Sequence, residues 1–203
     1  MKKRPGYADR RIKAEPYPNI LHDIINNIYS IPSDINEHVP TILKYGQECD
    51  HITEMGVRWI VSTWVWLGCG PEKLISYDIV NPEEWGASVD EVKKIANYYD
   101  IDFEFHCADV LKVDIEETDL LFIDTEHVYD QLKQELKLHS NKVKKYIVFH
   151  DTTNFEWNGE DGKEGTGIWP AIEEFLEENK NIWRLKERFT NCNGLTIIER
   201  IKK

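Results

Sequence analysis

Several features that mark particular classes of protein are missing from this sequence of 203 residues. No segment approaches the ~20 consecutive apolar residues of a membrane-spanning helix, and the charged N-terminus lacks the apolar run of a secretory signal. The cysteines Cys49, Cys69, Cys107 and Cys192 form no C-x-x-C pair and have no histidine spacing typical of a zinc site. We therefore expect reduced thiols, no membrane association and a cytoplasmic location.

Basic residues are also scarce, because 25 Lys and Arg stand against 37 Asp and Glu, which gives a formal net charge of −12. This deficit disfavours binding to nucleic acid or to an anionic membrane, since both need a basic surface. Basic residues cluster only near the N-terminus, where we expect a solvated tail. They are Lys2, Lys3, Arg4, Arg10, Arg11 and Lys13.

The length and the apolar content of 41% suit one domain with a full core. We assign residues 1–33 to a tail and a covering helix, and residues 34–203 to the main domain. The covering helix is predicted from apolar residues at helical spacing, which are Ile20, Leu21, Ile24, Ile25 and Ile28.

From residue 51 onward, predicted strands and helices alternate. The strands are predicted at 51–54, 74–79, 101–106, 119–124, 146–150, 183–189 and 195–201. The helices are predicted at 59–67, 88–99 and 129–139, with a further helix opening at Trp169-Pro170 and a polar loop at 152–167 before it. This alternation predicts an α/β fold of Rossmann-like type: a seven-stranded, mostly parallel sheet with an antiparallel last strand and helices on both faces.

The first strand–helix–strand unit has the features of a nucleotide-binding site. Gly56 can take backbone angles that other residues avoid, and it lets a ligand approach the main chain. Val57 and Arg58 then lead into a helix whose free N–H groups suit an anionic group. Asp78 ends the second strand, where an acid can accept hydrogen bonds from ribose hydroxyls.

Polar and titratable side chains also follow the other predicted parallel strands. Because ligands of open α/β sheets bind at the carboxyl ends of the strands, we expect a functional cleft there. The candidate residues are Glu54, Asp78, His106, Asp109, Asp124, Glu126, His127, His150 and Asp151.

The order of these motifs resembles the class I S-adenosylmethionine (SAM)-dependent methyltransferases, whose seventh strand is antiparallel. The segments Phe122-Ile-Asp-Thr-Glu-His127 and Val148-Phe-His-Asp-Thr152 are similar to the subgroup of small-molecule and sugar O-methyltransferases and cephalosporin-hydroxylase-like proteins. The resemblance covers about residues 34–201.

The resemblance implies a SAM site. Glu54 and Gly56 would line the methionine part, Ser62 would lie near its carboxylate, and Asp78 would bind the ribose. The full implied set is Glu54, Gly56, Val57, Arg58, Ser62, Asp78, Ile79, Asp109, Val110 and Asp124, where Asp109 and Val110 would hold the adenine and Asp124 would face the sulfonium.

Two positions depart from the family pattern, since relatives often have glycine where this chain has Ile60 and Thr125. Ile60 is expected to narrow the cofactor loop.

Methyl transfer to a hydroxyl also requires a group that removes the hydroxyl proton. The candidates are Asp124, His127, His150 and Asp151, of which a histidine near its ordinary pKa could be the general base. As an alternative, Asp124, His150 and Asp151 could hold a divalent cation such as Mg²⁺, although Mg²⁺ prefers oxygen ligands.

The sequence thus predicts an enzyme that transfers a methyl group from SAM to a small acceptor, most readily a hydroxyl of a sugar or secondary metabolite. The alternatives are a non-catalytic methyltransferase-like binding domain and a nicotinamide-dependent oxidoreductase, the latter weakened by the lack of a G-x-G-x-x-G run. The loop at 152–167 is expected to close over the acceptor. An aromatic first helix with Trp59, Trp64 and Trp66 would favour a homodimer.

Overall fold

A computed structural model describes residues 19–201 of the chain, so the basic N-terminal cluster lies outside the described residues. The strands are β1 (His51–Met55), β2 (Lys73–Asp78), β3 (Asp102–Cys107), β4 (Thr118–Ile123), β5 (Val143–His150), β6 (Trp183–Phe189) and β7 (Leu195–Arg200). The helices are α1 (Ile20–Ser30), α2 (Val39–Gly46), α3 (Val61–Gly68), α4 (Val89–Tyr98), α5 (Tyr129–His139) and α6 (Ile168–Glu178), with short 3₁₀ turns at Asn36–His38, Pro82–Trp85 and Ser140–Lys142.

All seven strands form one sheet in the order β3-β2-β1-β4-β5-β7-β6. The pairs β1–β2, β1–β4, β2–β3 and β4–β5 are parallel, whereas β7 is antiparallel to both β5 and β6. The predicted fold class is confirmed. The strand order reverses between β1 and β4, which places the ligand-binding crevice at the carboxyl ends of these two strands.

Alternate side chains of the strands enter two separate hydrophobic layers. Leu120 and Phe122 of β4 pack with residues of α1 to α4 on one face, and Leu121 and Ile123 pack with residues of α5 and α6 on the other. Because both faces are covered, the strands read as continuous apolar runs. Among residues 19–201, no helix has the length and apolar character needed to span a membrane.

Two element boundaries differ from the predicted ones by two residues or more. Helix α3, predicted at 59–67, begins at Val61 rather than at residue 59, because Ile60 has a left-handed backbone that cannot continue a helix. Strand β5 begins at Val143, and the charged residues Lys144 and Lys145 concealed its start. The predicted loop over 152–167 is confirmed as the connection from β5 to α6.

The aromatic residues near α3 are divided between core and surface. Trp66 is fully buried against Phe122, at 5.2 Å between ring centroids, whereas Trp59 precedes the helix and is half exposed. The homodimer stays a prediction.

A buried carboxylate joins β1, β2 and α3. Glu54 is 0% exposed, and it accepts hydrogen bonds from the hydroxyls of Ser62 (2.6 Å), Thr63 (2.8 Å) and Ser76 (2.6 Å). Burial raises the pKa of Glu54 to about 7 from its ordinary 4.5, although the three hydroxyls partly stabilise the charge.

This shift predicts a pH-dependent stability. The folded protein binds the Glu54 proton more tightly than the unfolded chain does, so its contribution to the free energy of unfolding falls as pH rises from 4.5 to about 7. The loss amounts to about 3 kcal/mol at roughly 1.4 kcal/mol per pH unit. We expect Glu54→Gln to remove this loss, so that the variant gains stability relative to the parent across this window in urea titrations.

The exposed-acid variant Glu178→Gln serves as the control and should run parallel to the parent protein. Parallel curves for Glu54→Gln as well would show that Glu54 titrates normally in the folded state.

Candidate active site

The loop between β1 and α3 approaches the end of β4 at Gly56. This glycine has a φ of 86°, and a Cβ placed on it would lie 1.9 Å from the carbonyl oxygen of Asp124. Only glycine fits there, because any side chain would collide with main chain. The loop therefore lies against the end of β4, where the candidate catalytic residue Asp124 is located.

Two further residues of this loop, Arg58 and Ile60, also have positive φ, at 45° and 57°. A left-handed backbone costs a residue with a Cβ roughly 1–2 kcal/mol. Ile60 is 5% exposed and packs in the hydrophobic core. Ile60 borders neither of the two cavities at this edge of the sheet. An isoleucine in place of glycine therefore strains the backbone here but does not fill either cavity.

Asp78 at the end of β2 binds the same loop. Its Oδ2 accepts hydrogen bonds from the backbone N–H groups of Val57 (2.7 Å) and Arg58 (2.9 Å), and its Oδ1 accepts one from Val80 N–H (2.9 Å). Successive N–H groups in alternating backbone conformations form a nest that suits an anion, and here the anion is Asp78 itself. About one of the roughly four acceptor positions of the carboxylate is left over.

The larger of two neighbouring cavities has a volume of about 460 Å³ and lies over the ends of β1, β2, β3 and β4. Apolar side chains of Ile79, Trp85, Val110 and Leu111 form one part of its wall. The polar side chains of the wall are Arg58, Asp78, Asp109, Asp124, Thr125, Glu126 and Gln131.

The smaller cavity has a volume of about 230 Å³ and shares Arg58, Asp124 and Thr125 with the larger one. Titratable side chains dominate its wall, with Trp59 at one side. They are Asp34, Arg58, Asp124, His127, His150, Asp151 and Glu160. The two cavities therefore meet at the end of β4.

Four titratable residues from the ends of β4 and β5 contact one another at the smaller cavity. His127 Nε2 lies 3.1 Å from Asp124 Oδ1 and 3.2 Å from Asp151 Oδ2. His150 Nδ1 lies 3.3 Å from Asp124 Oδ1, and its Nε2 lies 2.9 Å from the carbonyl oxygen of Asp34, to which it donates. The predicted catalytic residues are thus brought together.

The carboxylates favour the charged form of both imidazoles. Burial alone would lower the pKa of His150, but the Asp124 carboxylate outweighs it and raises that pKa to about 9. The same opposition between burial and Asp124 raises the pKa of His127. Asp124 remains ionised, since the two imidazoles lower its pKa despite its burial, whereas burial raises the pKa of Asp151.

The loop between β5 and α6 contacts His127 from the side opposite to Asp124. Glu160 Oε2 lies 3.0 Å from His127 Nδ1, and the ring of Phe155 stacks on the imidazole at 4.6 Å between centroids. This loop therefore forms one wall of the smaller cavity, where the sequence predicted a closing loop.

The ligand atoms of Asp124, His127 and Asp151 lie within 4.8 Å of one another, which is a spacing that a metal ion could bridge. His150, which the sequence predicted in this set, is 2% exposed and donates Nε2 to the carbonyl oxygen of Asp34, whereas His127 Nε2 lies between the two carboxylates. The geometry thus favours His127 as the nitrogen ligand.

The other predicted cofactor residues are distributed over both cavities. Val57 and Ser62 border the smaller cavity. Glu54 borders neither, since its carboxylate is enclosed by three hydroxyls. His106, also a strand-end candidate, is exposed beside Glu104, at 3.1 Å, and lies outside both cavities. The individual binding roles stay predictions.

Sequence reasoning missed Trp85, Gln131, Glu135 and Glu160. Glu135 could have been noticed, because a charged residue between Leu132 and Leu136 interrupts the apolar stripe of α5. Glu160 lies in an irregular loop, where no spacing indicates its neighbours.

No family model and none of the curated proteins compared with it matches this chain. Solved structures do match. A caffeoyl-CoA O-methyltransferase candidate from Staphylococcus aureus has a TM-score of 0.64 at 10% identity, over 90% of this chain and 91% of its own. An O-methyltransferase from Bacillus cereus in complex with SAH has a TM-score of 0.59 at 14% identity, over 92% and 93%. An SAH-bound methyltransferase from Podospora anserina has a TM-score of 0.56 at 16% identity, over 97% and 93%. The chain therefore has the Rossmann-like fold of class I methyltransferases.

Proposed function

We propose that this protein is a SAM-dependent O-methyltransferase that acts on a small acceptor. The observation that carries the proposal is the junction of two cavities at Asp124 and Thr125, one suited to a nucleoside and the other lined by proton-transfer groups. The likeness to SAH-bound methyltransferases supports it, because SAH is what SAM becomes after it has given up its methyl group.

The larger cavity fits the donor. Its volume of about 460 Å³ falls within the range of roughly 300–1,000 Å³ typical of cofactor sites. Ile79, Val110 and Trp85 offer an apolar slot for the base, and Asp78 retains an acceptor position for a ribose hydroxyl. The Arg58 guanidinium, which has no ion pair among residues 19–201, is the group available to a carboxylate. When bound, SAM supplies an electrophilic methyl group.

The smaller cavity suits an uncharged acceptor that carries hydroxyls, such as a sugar or a secondary metabolite. Carboxylates and imidazoles line it, and both can bond hydroxyls. The same carboxylates and the net charge of −12 oppose phosphorylated acceptors and nucleic acid.

The acceptor hydroxyl must lose its proton as the new bond to carbon forms. His127 and His150 are favoured in their charged forms, so neither is the first acceptor of that proton. Asp151 is better suited: it borders the smaller cavity, and burial raises its pKa above that of an ordinary aspartate. The two imidazoles then stabilise the ionised Asp124 beside the reacting groups.

A divalent cation bound by Asp124, His127 and Asp151 would also help the acceptor hydroxyl to lose its proton, because it would lower the pKa of that hydroxyl. A mixed nitrogen and oxygen set suits Mn²⁺ or Zn²⁺ better than Mg²⁺. Such an ion and the proton of His127 Nε2 would compete for the same place between the two carboxylates.

Asp78 provides the first test of the donor site. We expect Asp78→Ala to weaken SAM binding at least about tenfold in calorimetry, through loss of the ribose contact. It should also lower the free energy of unfolding by about 2 kcal/mol, because three backbone N–H groups lose a charged acceptor. Asp78→Asn, which keeps one oxygen, should be intermediate in stability.

The exposed acid Asp90 provides the matched control as Asp90→Ala. Unchanged SAM affinity in Asp78→Ala would place the ribose elsewhere, and binding of NAD in preference to SAM by the parent protein would replace the methyltransferase proposal with an oxidoreductase.

The charge balance at the smaller cavity predicts activity without a metal. The imidazolium of His127 already lies between Asp124 and Asp151, so we expect methyl transfer to a panel of sugar and phenolic acceptors to be retained in excess chelator. With Mn²⁺ added, the methyl-transfer activity of His127→Ala should not exceed that of the parent protein. Loss of activity in chelator with recovery on adding Mn²⁺ or Mg²⁺ would instead assign the cluster to a metal.

A further inference from the structure

Glu135 on α5 is a buried acid that the mechanism above does not use. Its side chain is 0% exposed, and no Lys, Arg or His among residues 19–201 forms an ion pair with it. Burial raises its pKa to about 7. Placing a carboxyl group there is costly compared with an apolar side chain, so its presence needs a physical reason.

One oxygen of Glu135 holds two residues of the cavity walls. Its Oε1 accepts hydrogen bonds from Thr125 Oγ1 (2.7 Å) and from Gln131 Nε2 (2.8 Å). Thr125 borders both cavities and Gln131 borders the larger one. Gln131 and Glu135 are four residues apart, so they lie on the same face of α5.

The second carboxylate oxygen of Glu135 shows that burying this side chain has an energetic cost. Glu135 Oε2 is buried and has no hydrogen-bond partner among the described residues. The other oxygen, Oε1, bonds Thr125 at the junction of the two cavities and Gln131 in the wall of the larger one.

We propose that Glu135 is a positioning residue that fixes the shared wall of the donor and acceptor cavities through Thr125 and the adjoining wall of the donor cavity through Gln131. This inference rests on the proposed function. It also accounts for a threonine where relatives often have glycine: the hydroxyl of Thr125 is bonded towards α5, which anchors the turn that follows Asp124.

Binding of SAH, measured by calorimetry on the full-length chain, tests the proposal without an identified acceptor. Glu135→Leu fills a similar volume but cannot accept a hydrogen bond, so we expect SAH affinity to fall about tenfold while the thermal midpoint stays equal or rises. Glu135→Gln keeps an acceptor oxygen and should bind SAH nearly as the parent does. Gln134→Leu, on the exposed face of the same helix, is the matched control.

Thr125→Val supplies the second line of evidence if Glu135→Leu fails to fold. It removes the hydrogen bond between Thr125 and Glu135 by changing the donor instead of the acceptor. The double variant should bind SAH no more weakly than the weaker single variant, because both changes disrupt the same interaction. Once an acceptor substrate is identified, kcat of these variants should fall further than their SAH affinity, by up to about a hundredfold, since small displacements at the reacting centre have large effects.

SAH affinity within twofold of the parent in both Glu135→Leu and Thr125→Val would overturn the positioning role while leaving the proposed function intact. Additive losses in the double variant would also overturn it. Failure of the parent protein to bind SAH or SAM would overturn the proposed function, and the positioning role with it.

Discussion

The bond between Asp78 and the loop after β1 is the constraint on which the site depends. One carboxylate oxygen accepts hydrogen bonds from the backbone N–H groups of Val57 and Arg58, and so holds a loop in which Gly56, Arg58 and Ile60 have positive φ. Hydrogen bonds to a charged acceptor contribute roughly 1.5–3 kcal/mol each, which offsets the roughly 1–2 kcal/mol that each left-handed residue with a Cβ costs. This balance allows Arg58 and Ile60 at positions where glycine would be unstrained. It also brings Gly56 against Asp124 and so sets the distance between the loop and β4.

Buried acids in this protein fall into two kinds, according to the groups that bind them. Glu54 and Glu135 lie beneath the cavities, accept hydrogen bonds from neutral hydroxyls and an amide, and have raised pKa values. Asp124 lies at the cavities and is bound by two imidazoles that keep it ionised. Neutral donors leave the buried acids close to their neutral form, which suits a supporting role, whereas imidazolium partners maintain charge where a reaction needs it.

Much of this arrangement follows from sequence patterns that have a direct physical basis. Continuous apolar strands alternating with amphipathic helices predict a parallel sheet, and residues after parallel strands necessarily meet at one edge, which is why Asp124, His127, His150 and Asp151 were found together. The sequence cannot fix which way a side chain turns at that edge. His150 bonds the carbonyl of Asp34, whereas His127, three residues after Asp124, reaches both carboxylates. Glu160 was missed for a related reason, since its contact depends on the path of an irregular loop.

The two sides of the site also differ in how easily they can open. On the donor side, the loop is fixed by two hydrogen bonds to Asp78 and by the buried side chain of Ile60. On the acceptor side, the loop from β5 to α6 is joined to His127 by the Phe155 stack and by Glu160, whose side chain is 55% exposed. The Glu160 carboxylate is largely exposed, so its ion pair with His127 contributes only about 0–1 kcal/mol, and this side chain can leave His127 at little cost. In the proposed methyltransferase, a fixed donor cavity beside an acceptor cavity with a displaceable Glu160 side chain would keep one cofactor geometry while the acceptor enters and the methylated product leaves past that side chain.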